Sequence, residues 1–153
     1  MKLLFLTVGK ENKDIYQEAI NEYTKRLSHY VSVEWKYLKN STKGGEVAKT
    51  EEAEIILKNI GREDFVVLLD EKGKEMRTKE LSDFFDKKMQ SGEKRVVFII
   101  GGAFGVSELV KKAVQMTIAL SQLTFPHELV RLILVEQIYR AFTILKGEKY
   151  HHE

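Results

Sequence analysis

The chain has 153 residues, of which 43% are hydrophobic and 31% charged; it carries no cysteine and has a net charge of +2. This composition fits one folded domain and excludes a disordered chain, a disulfide-stapled scaffold and a thiolate metal site. The charge permits a nucleic-acid partner without indicating one, and the absence of cysteine is consistent with a reducing cytoplasm.

The first half of the chain alternates apolar runs with segments of helical spacing. Lys2–Val8 is a short apolar run, which predicts a buried first strand and is too short for a signal peptide. A helix, an alternating half-buried strand, a polar loop with two glycines and a second helix ended by Gly61 follow. Their predicted bounds are residues 13–30, 31–38, 40–45 and 47–60.

The second half repeats this alternation. Thr78 and Ser107 predict the starts of two helices, although Glu80 follows Thr78 too closely for a strict capping box. The predicted elements are a strand at 65–69, a glycine-containing turn at 71–74, a helix at 78–90, a strand at 95–100, a helix at 107–116, a strand at 117–120 and a helix at 127–146, ended by Gly147. No run approaches the ~18 consecutive apolar residues of a membrane span.

Strands that read as continuous apolar runs are buried on both faces, as in parallel sheets. Their alternation with helices predicts one α/β domain over residues 1–153, with a mostly parallel sheet flanked by helices. Ligands bind such sheets at the carboxyl ends of the strands. The loops 70–74, 101–105 and 120–126 are expected to meet there.

The loop 101–105 carries three glycines between a strand and a helix. Glycine lets a ligand approach the backbone closely, but the loop lacks both the P-loop signature and the dinucleotide fingerprint. It is either a ligand-binding turn or a tight turn with no ligand.

The final helix is apolar around most of its circumference, which indicates that nearly every face is buried. In a chain of this size that predicts a homodimer with this helix in the interface. Glu136 and Arg140 are four residues apart on one face. They form either a structural ion pair or a site at which Arg140 holds a phosphate or a base.

The chain ends in Tyr150, His151, His152 and Glu153, an unusual density of aromatic and titratable groups. A metal site is conceivable, but no metal-binding spacing supports it, and no metal is expected. An RNA-facing patch is possible because tyrosine stacks on bases and histidine donates to phosphate. A solvated tail is the alternative.

Together these segments resemble the small SPOUT-class RNA methyltransferases and, more narrowly, the large-subunit ribosomal RNA pseudouridine-N3 methyltransferases. The resemblance covers the whole chain. It rests on Met1-Lys2-Leu3, Val8-Gly9-Lys10, Glu22-Tyr23-x-x-Arg26-Leu27, Ile100-Gly101-Gly102-x-x-Gly105, Leu120-Ser121-x-Leu123-Thr124-Phe125-Pro126-His127, Arg131, Glu136-Gln137-x-Tyr139-Arg140-Ala141 and Tyr150-His151.

The resemblance implies a fold with a trefoil knot in its C-terminal part, and a homodimer. It also implies that S-adenosylmethionine binds in the knot, with its adenine against backbone groups and apolar side chains. The implied cofactor-binding residues are Leu69, Gly101, Leu120, Ser121, Gln122, Leu123, Thr124 and Phe125.

On the substrate side the resemblance implies catalytic roles for His127, Arg140, Tyr150 and His152. Arg140 would stabilise negative charge on the base, and either His127 or a tail histidine would accept the proton. The implied partner is helix 69 of 23S ribosomal RNA in the assembled ribosome. Some relatives carry Arg or Lys near position 152, where this chain has His152, so a phosphate contact there is expected to be weaker or pH-dependent.

Basic residues after the second and third strands are weak candidates for further RNA contacts. They are Lys36, Lys39, Lys43, Lys72, Lys74, Arg77 and Lys79. Two alternatives stay open at this point. One is a ribosome-binding factor of the same fold that lacks catalysis, and the other is a doubly wound protein that binds a nucleotide or flavin.

Overall fold

The computed structural model describes residues 1–11 and 15–152, and in them strands and helices alternate throughout. The strands are β1 (Lys2–Val8), β2 (Ser32–Leu38), β3 (Phe65–Glu75), β4 (Arg95–Ile100) and β5 (Met116–Ala119). The helices are α1 (Ile15–Leu27), α2 (Gly45–Lys58), α3 (Thr78–Gln90), α4 (Glu108–Ala113) and α5 (His127–Leu145).

The strands form one sheet in the order β2-β1-β4-β3-β5, and each strand pair described is parallel. This confirms the predicted α/β class. β1 and β4 lie side by side in the sheet and are almost completely buried, as continuous apolar runs require. All strands therefore end at the same edge of the sheet, where the functional loops were expected.

Helices cover both faces of the sheet. α1, α3 and α5 pack together on one face, over a core that includes Phe5, Phe85, Phe98 and Phe142. α2 and α4 cover the other face, over a smaller aliphatic core. The rings of Phe98 and Phe85 are 6.1 Å apart, and those of Phe85 and Phe142 are 5.0 Å apart, so aromatic packing joins the sheet to α3 and α5.

The predicted turn at 71–74 is wrong, because β3 continues through it to Glu75. β5 pairs first with Val67–Leu69 and then, after a shift in register, with Lys74 and Glu75. The residues between are an irregularity within a long strand, and such bulges redirect a strand without ending it. The glycine that suggested a turn lies where two backbones approach closely: a Cβ on Gly73 would be 2.7 Å from the Ile118 carbonyl carbon.

Other boundaries differ by a few residues. α1 ends at Leu27, three residues before the predicted end, and the predicted helical residues 13 and 14 lie outside the described part. The N-cap of α3 is Arg77, not Thr78. Glu80 is therefore three residues after the cap, and its carboxylate accepts a hydrogen bond from the Arg77 backbone N–H at 2.6 Å, which is half of the capping box that a cap at Thr78 would exclude. α4 is short, and Met116 opens β5 instead of closing this helix. α5 ends as predicted before Gly147, whose φ is +68°.

One face of α5 lacks a cover in the single chain. Its core side includes the fully buried Leu134, Ile138 and Ala141. On the opposite side four half-buried apolar residues stay outside both cores of the described chain: Leu129, Leu132, Ile133 and Ile144.

None of the helices in the described residues is long and apolar enough to cross a membrane.

Asp64 and Arg95 form an ion pair at the amino end of the sheet, and its loss should destabilise the fold. Arg95 Nε donates to Asp64 at 2.9 Å, the Gly61 N–H donates to it at 2.7 Å, and the Asp64 side chain is only 9% exposed. We expect Asp64→Asn to lower the free energy of unfolding by about 1–3 kcal/mol, because it leaves the guanidinium poorly paired. Urea unfolding at pH 7 measures this loss.

The same pair predicts the acid dependence of stability. Hydrogen bonds from Arg95 hold the pKa of Asp64 below its ordinary value of 3.8. A lowered pKa in the folded state adds stability above the unfolded-state value, and this gain disappears as pH falls through the folded-state value. The difference between wild type and Asp64→Asn should therefore be constant above about pH 5 and shrink below about pH 4. A difference that grows on acidification would contradict this assignment.

Candidate functional site

Three loops meet at the carboxyl edge of the sheet and enclose a cavity of about 470 Å³, the main cavity. Two of them follow β4 and β5, as parallel topology requires, and the other is the irregular segment within β3. Residues 70–72 form one wall, residues 101–106 the floor and a second wall, and residues 120–125 the third wall. His127 and Val130 close the cavity from the start of α5.

Local hydrogen bonds hold each loop in shape. The Lys72 N–H donates to the Asp70 side chain at 2.9 Å, and the Leu123 N–H donates to Ser121 Oγ at 3.0 Å. Short polar side chains that bond backbone two residues on form tight turns. Thr124 Oγ1 donates to Glu71 at 3.3 Å, which joins the first and third loops across the cavity.

Glycines shape the floor. The Gly105 N–H donates to the Gly102 carbonyl at 3.0 Å, and Gly105 has a φ of +78°, which favours glycine. A Cβ on Gly101 would lie 2.8 Å from Val106 Cγ1. The loop therefore folds tightly enough to leave its backbone open to a ligand.

The cavity brings together most residues of the predicted cofactor set. Seven of the eight line it: Leu69, Gly101, Leu120, Ser121, Leu123, Thr124 and Phe125. Gln122 does not, and it is exposed. The sequence reasoning missed Lys49 of α2 and Lys111 of α4, which reach the cavity from helices that carry no motif. The role of each residue in binding stays a prediction.

The predicted catalytic residues fall into two separate groups. His127 lines the main cavity, whereas Arg140, Tyr150 and His152 do not. His127 and Arg140 are thirteen positions apart on α5, or about 20 Å along the helix axis. His152 is exposed near the end of the chain, and Glu153 lies outside the described residues.

Arg140 and Tyr150 form a half-buried cluster around Glu136. Arg140 Nε donates to Glu136 at 2.9 Å, the Tyr150 hydroxyl donates to the same carboxylate at 3.2 Å, and the guanidinium lies 4.6 Å from the Tyr150 ring centre. The structure thus contains the expected ion pair. Whether Arg140 also contacts a substrate group is decided by what covers this side of α5.

Burial and charge set the protonation of this cluster. Burial raises the pKa of Tyr150, and the hydrogen bond with Tyr23 and the charge of Glu136 raise it further. Burial alone would lower the pKa of Arg140, but Glu136, together with Tyr150 and Tyr23, raises it overall. At neutral pH the cluster therefore presents a phenol and a guanidinium, both hydrogen-bond donors.

The tail lies against α1 and α5. The ring of Tyr150 is 4.8 Å from that of Tyr139, edge to face, and His151 is half-buried with no hydrogen-bond partner for Nδ1 among the described residues. No group of three potential metal ligands converges anywhere in the part of the chain that the structure describes.

Comparisons with known proteins agree with this arrangement. Residues 1–151 match the model of a family described as predicted SPOUT methyltransferase. The chain is 46% identical to the "Ribosomal RNA large subunit methyltransferase H" of Parabacteroides distasonis, with 100% of both chains covered. It is 44% identical to the protein of the same name from Cytophaga hutchinsonii, over 99% of this chain and 100% of the relative.

Proposed function

The chain belongs to the SPOUT methyltransferase family, and we propose that it transfers a methyl group from S-adenosylmethionine to N3 of a pseudouridine in helix 69 of 23S ribosomal RNA. The full-length similarity to ribosomal RNA large subunit methyltransferases supports the RNA substrate. Family membership rules out the alternative of a doubly wound protein that binds a nucleotide or flavin. The convergence of three loops on the main cavity is the observation that carries the proposal.

The main cavity fits S-adenosylmethionine in size and chemistry. A volume of about 470 Å³ lies within the range of small-molecule sites. Leu69, Leu120 and Phe125 offer apolar surface for the faces of an adenine, and the backbone of the glycine and turn loops offers donors and acceptors for its edge. Charged side chains of both signs line the cavity, which suits a ligand that carries a carboxylate as well as positive charge; they are Asp70, Glu71, Lys49, Lys72 and Lys111.

The bound cofactor supplies an activated methyl group, so the chain must place the base and remove its N3 proton. We assign the acceptance of that proton to His127, because it lines the main cavity and a neutral imidazole nitrogen can act as a general base. Tyr150 is unsuited to the role, since its raised pKa keeps it protonated. Arg140 is suited to stabilising negative charge on the base as the proton leaves.

Arg140 and Tyr150 can contribute to a main cavity only if it belongs to the partner protomer of a dimer. Neither lines the cavity of its own chain, but both adjoin the uncovered apolar face of α5. A two-fold dimer through this face would bury it and place the cluster of one protomer beside the partner's cavity. We therefore propose a homodimer whose sites combine residues from both protomers.

The remaining parts of the proposal follow from family membership. The C-terminal part of the single domain forms a trefoil knot, with the cofactor bound in it. The enzyme works in the cytoplasm on assembled ribosomes. Basic residues near the loop after β2 and the bulge of β3 would contact phosphates from both protomers.

The proposal is tested first by calorimetric titration with S-adenosylmethionine, with ATP and FMN as controls. Binding of S-adenosylmethionine should be followed by transfer of its labelled methyl group to ribosomes from cells that lack this gene. Mass spectrometry of the digested RNA then identifies the modified nucleotide. Transfer to a different atom would overturn the N3 assignment, and binding without transfer to any ribosomal particle would favour a non-catalytic ribosome-binding factor.

Phe125→Ala should weaken S-adenosylmethionine binding about tenfold, because a half-buried aromatic wall of the main cavity is lost. Calorimetry measures the change in Kd. Met89→Ala is the control, since Met89 is a 39% exposed apolar residue on α3, outside the main cavity. Equal affinities in wild type and Phe125→Ala would remove Phe125 from the cofactor site.

A further inference from the structure

A second cavity of about 340 Å³ adjoins the main cavity above the carboxyl ends of β1 and β2. Gly9, Asn40, Ser41 and Glu52 are among the residues that line it. The two cavities share Ala103, Phe104 and His127 as a common wall. A ligand in the second cavity would therefore face both the methyl-donor site and the proposed proton acceptor.

Two glycines let the backbone pack closely against polar side chains that line this cavity. A Cβ on Gly9 would lie 3.2 Å from Arg131 Nη2 and 3.6 Å from Asn40 Nδ2. A Cβ on Gly102 would lie 3.2 Å from both Glu52 Oε1 and Val8 Cγ1 and 3.7 Å from Asn40 Oδ1. Gly9 has a φ of +114°, a conformation that favours glycine. The amide of Asn40 thus packs close to the backbone at Gly9 and Gly102, which holds it in position at the wall of the cavity.

The polar groups match the edge of a uracil-type base. Such an edge alternates carbonyl acceptors with N–H donors, and an amide side chain offers one of each. The Ser41 N–H donates to Glu52 Oε2 at 3.1 Å and fixes this carboxylate, whose other oxygen points towards Gly102. A carboxylate accepts hydrogen bonds from N–H groups, so Asn40 and Glu52 together can pair with both kinds of group.

Phe104 supplies a flat apolar surface at the boundary between the cavities. It is 61% exposed, although it lies at the centre of the loop between β4 and α4. Exposed aromatic rings beside a nucleic-acid site stack on unpaired bases. An enzyme that modifies a ring atom must also take its target base out of the RNA stack.

We propose that the second cavity receives the flipped target pyrimidine, with Phe104 stacking on its face and Asn40 and Glu52 bonding its edge. The proposal rests on the proposed function and names the part of the site that holds the substrate base. In this position the base lies beside His127 and opens towards the main cavity.

The first test compares Phe104→Ala with Phe104→Trp. Loss of a stacking partner should lower kcat/KM for ribosomes about tenfold, with the change mostly in KM, while tryptophan should restore it to within about threefold. The Kd for S-adenosylmethionine should stay within about twofold in both variants. Leu109→Ala, a 57% exposed apolar residue on α4 outside both cavities, controls for surface changes nearby. Unchanged kinetics in Phe104→Ala would overturn the proposal.

Asn40→Ala provides a second, independent test of the proposed base site. It should lower kcat/KM about tenfold without weakening S-adenosylmethionine binding, because Asn40 lies outside the main cavity. If instead this variant loses cofactor affinity, the second cavity is part of the cofactor site and the proposal fails. Asn59→Ala is the matched control, since Asn59 is at the end of α2 away from both cavities.

A crosslinking arm separates this proposal from the proposed function. A photoreactive benzoylphenylalanine in place of Phe104 should crosslink to large-subunit RNA at the methylated nucleotide or its neighbour. If wild type transfers no methyl group, the proposed function fails, and a crosslink to one unpaired pyrimidine would still support the cavity as a base site. Crosslinks spread over duplex RNA would overturn it.

Discussion

Arg140→Ala is expected to lower methyl transfer about 100-fold while the Kd for S-adenosylmethionine changes less than about twofold. The guanidinium lies outside the main cavity, so cofactor binding should not depend on it. Its proposed task is to stabilise charge on the base, which affects the chemical step alone. Single-turnover kinetics with saturating ribosomes measures the step directly.

Mixing variants tests whether the site combines two protomers. His127→Ala should also be nearly inactive, because it removes the proposed proton acceptor. If each site takes His127 from one protomer and Arg140 from the other, a mixed dimer of these two variants keeps one intact site. Equal, fully exchanged mixtures contain about half mixed dimers and should recover about a quarter of wild-type activity.

The controls for this experiment concern charge and assembly. Arg62→Ala removes an exposed arginine just before β3, at the opposite edge of the sheet, and should retain full activity. Sedimentation velocity must show that Arg140→Ala and His127→Ala remain dimers. No recovery in the mixture would place both residues in the site of one chain, and a stable wild-type monomer would overturn the composite site altogether.

The fold class could be predicted because burial determines which positions of a sequence are apolar. Strands covered on both faces must be continuously apolar, and the apolar runs at β1 and β4 indicated such strands. The main cavity followed from the same pattern, since loops after parallel strands meet at one edge. The loops after β4 and β5 were predicted in this way, whereas the segment at 71–74 was not, because β3 continues through it to Glu75.

The irregularity in β3 could not be predicted, because it depends on a partner strand far along the chain. Gly73 suggests a turn locally, but β5 pairs with the residues on both sides of it. The second cavity was missed for a similar reason. Asn40 read only as part of a polar loop, and its position between Gly9 and Gly102 arises from the order of the strands.

The separation of His127 from Arg140 was not predicted for a different reason. Both lie on α5, and residues on one helix suggest one site. Helical rise separates them by about 20 Å, so they can share a site only across a symmetry axis. The only sign of such an axis that a sequence can show is an apolar helix face that the single chain leaves uncovered.

Gly73→Ala is expected to lower the free energy of unfolding by about 3 kcal/mol, and thus Tm by about 6–12 °C. The added Cβ would lie 2.7–2.9 Å from three backbone atoms of Ile118, and backbone in a paired strand cannot move aside as a flexible side chain can. The change must therefore push β3 and β5 apart. Differential scanning calorimetry measures the shift in Tm.

Gly61→Ala is the matched control, because its added Cβ would meet only the Asp64 side chain, at 3.4 Å or more. It should change Tm by less than about 3 °C. Asp70, Glu71 and Lys72 precede Gly73 and line the main cavity, so the separation of β3 from β5 should also weaken S-adenosylmethionine binding. If Gly73→Ala lost stability but kept full affinity, the cavity wall would be independent of the strand that carries it. If it kept both, the close approach of β3 to β5 would be wrong.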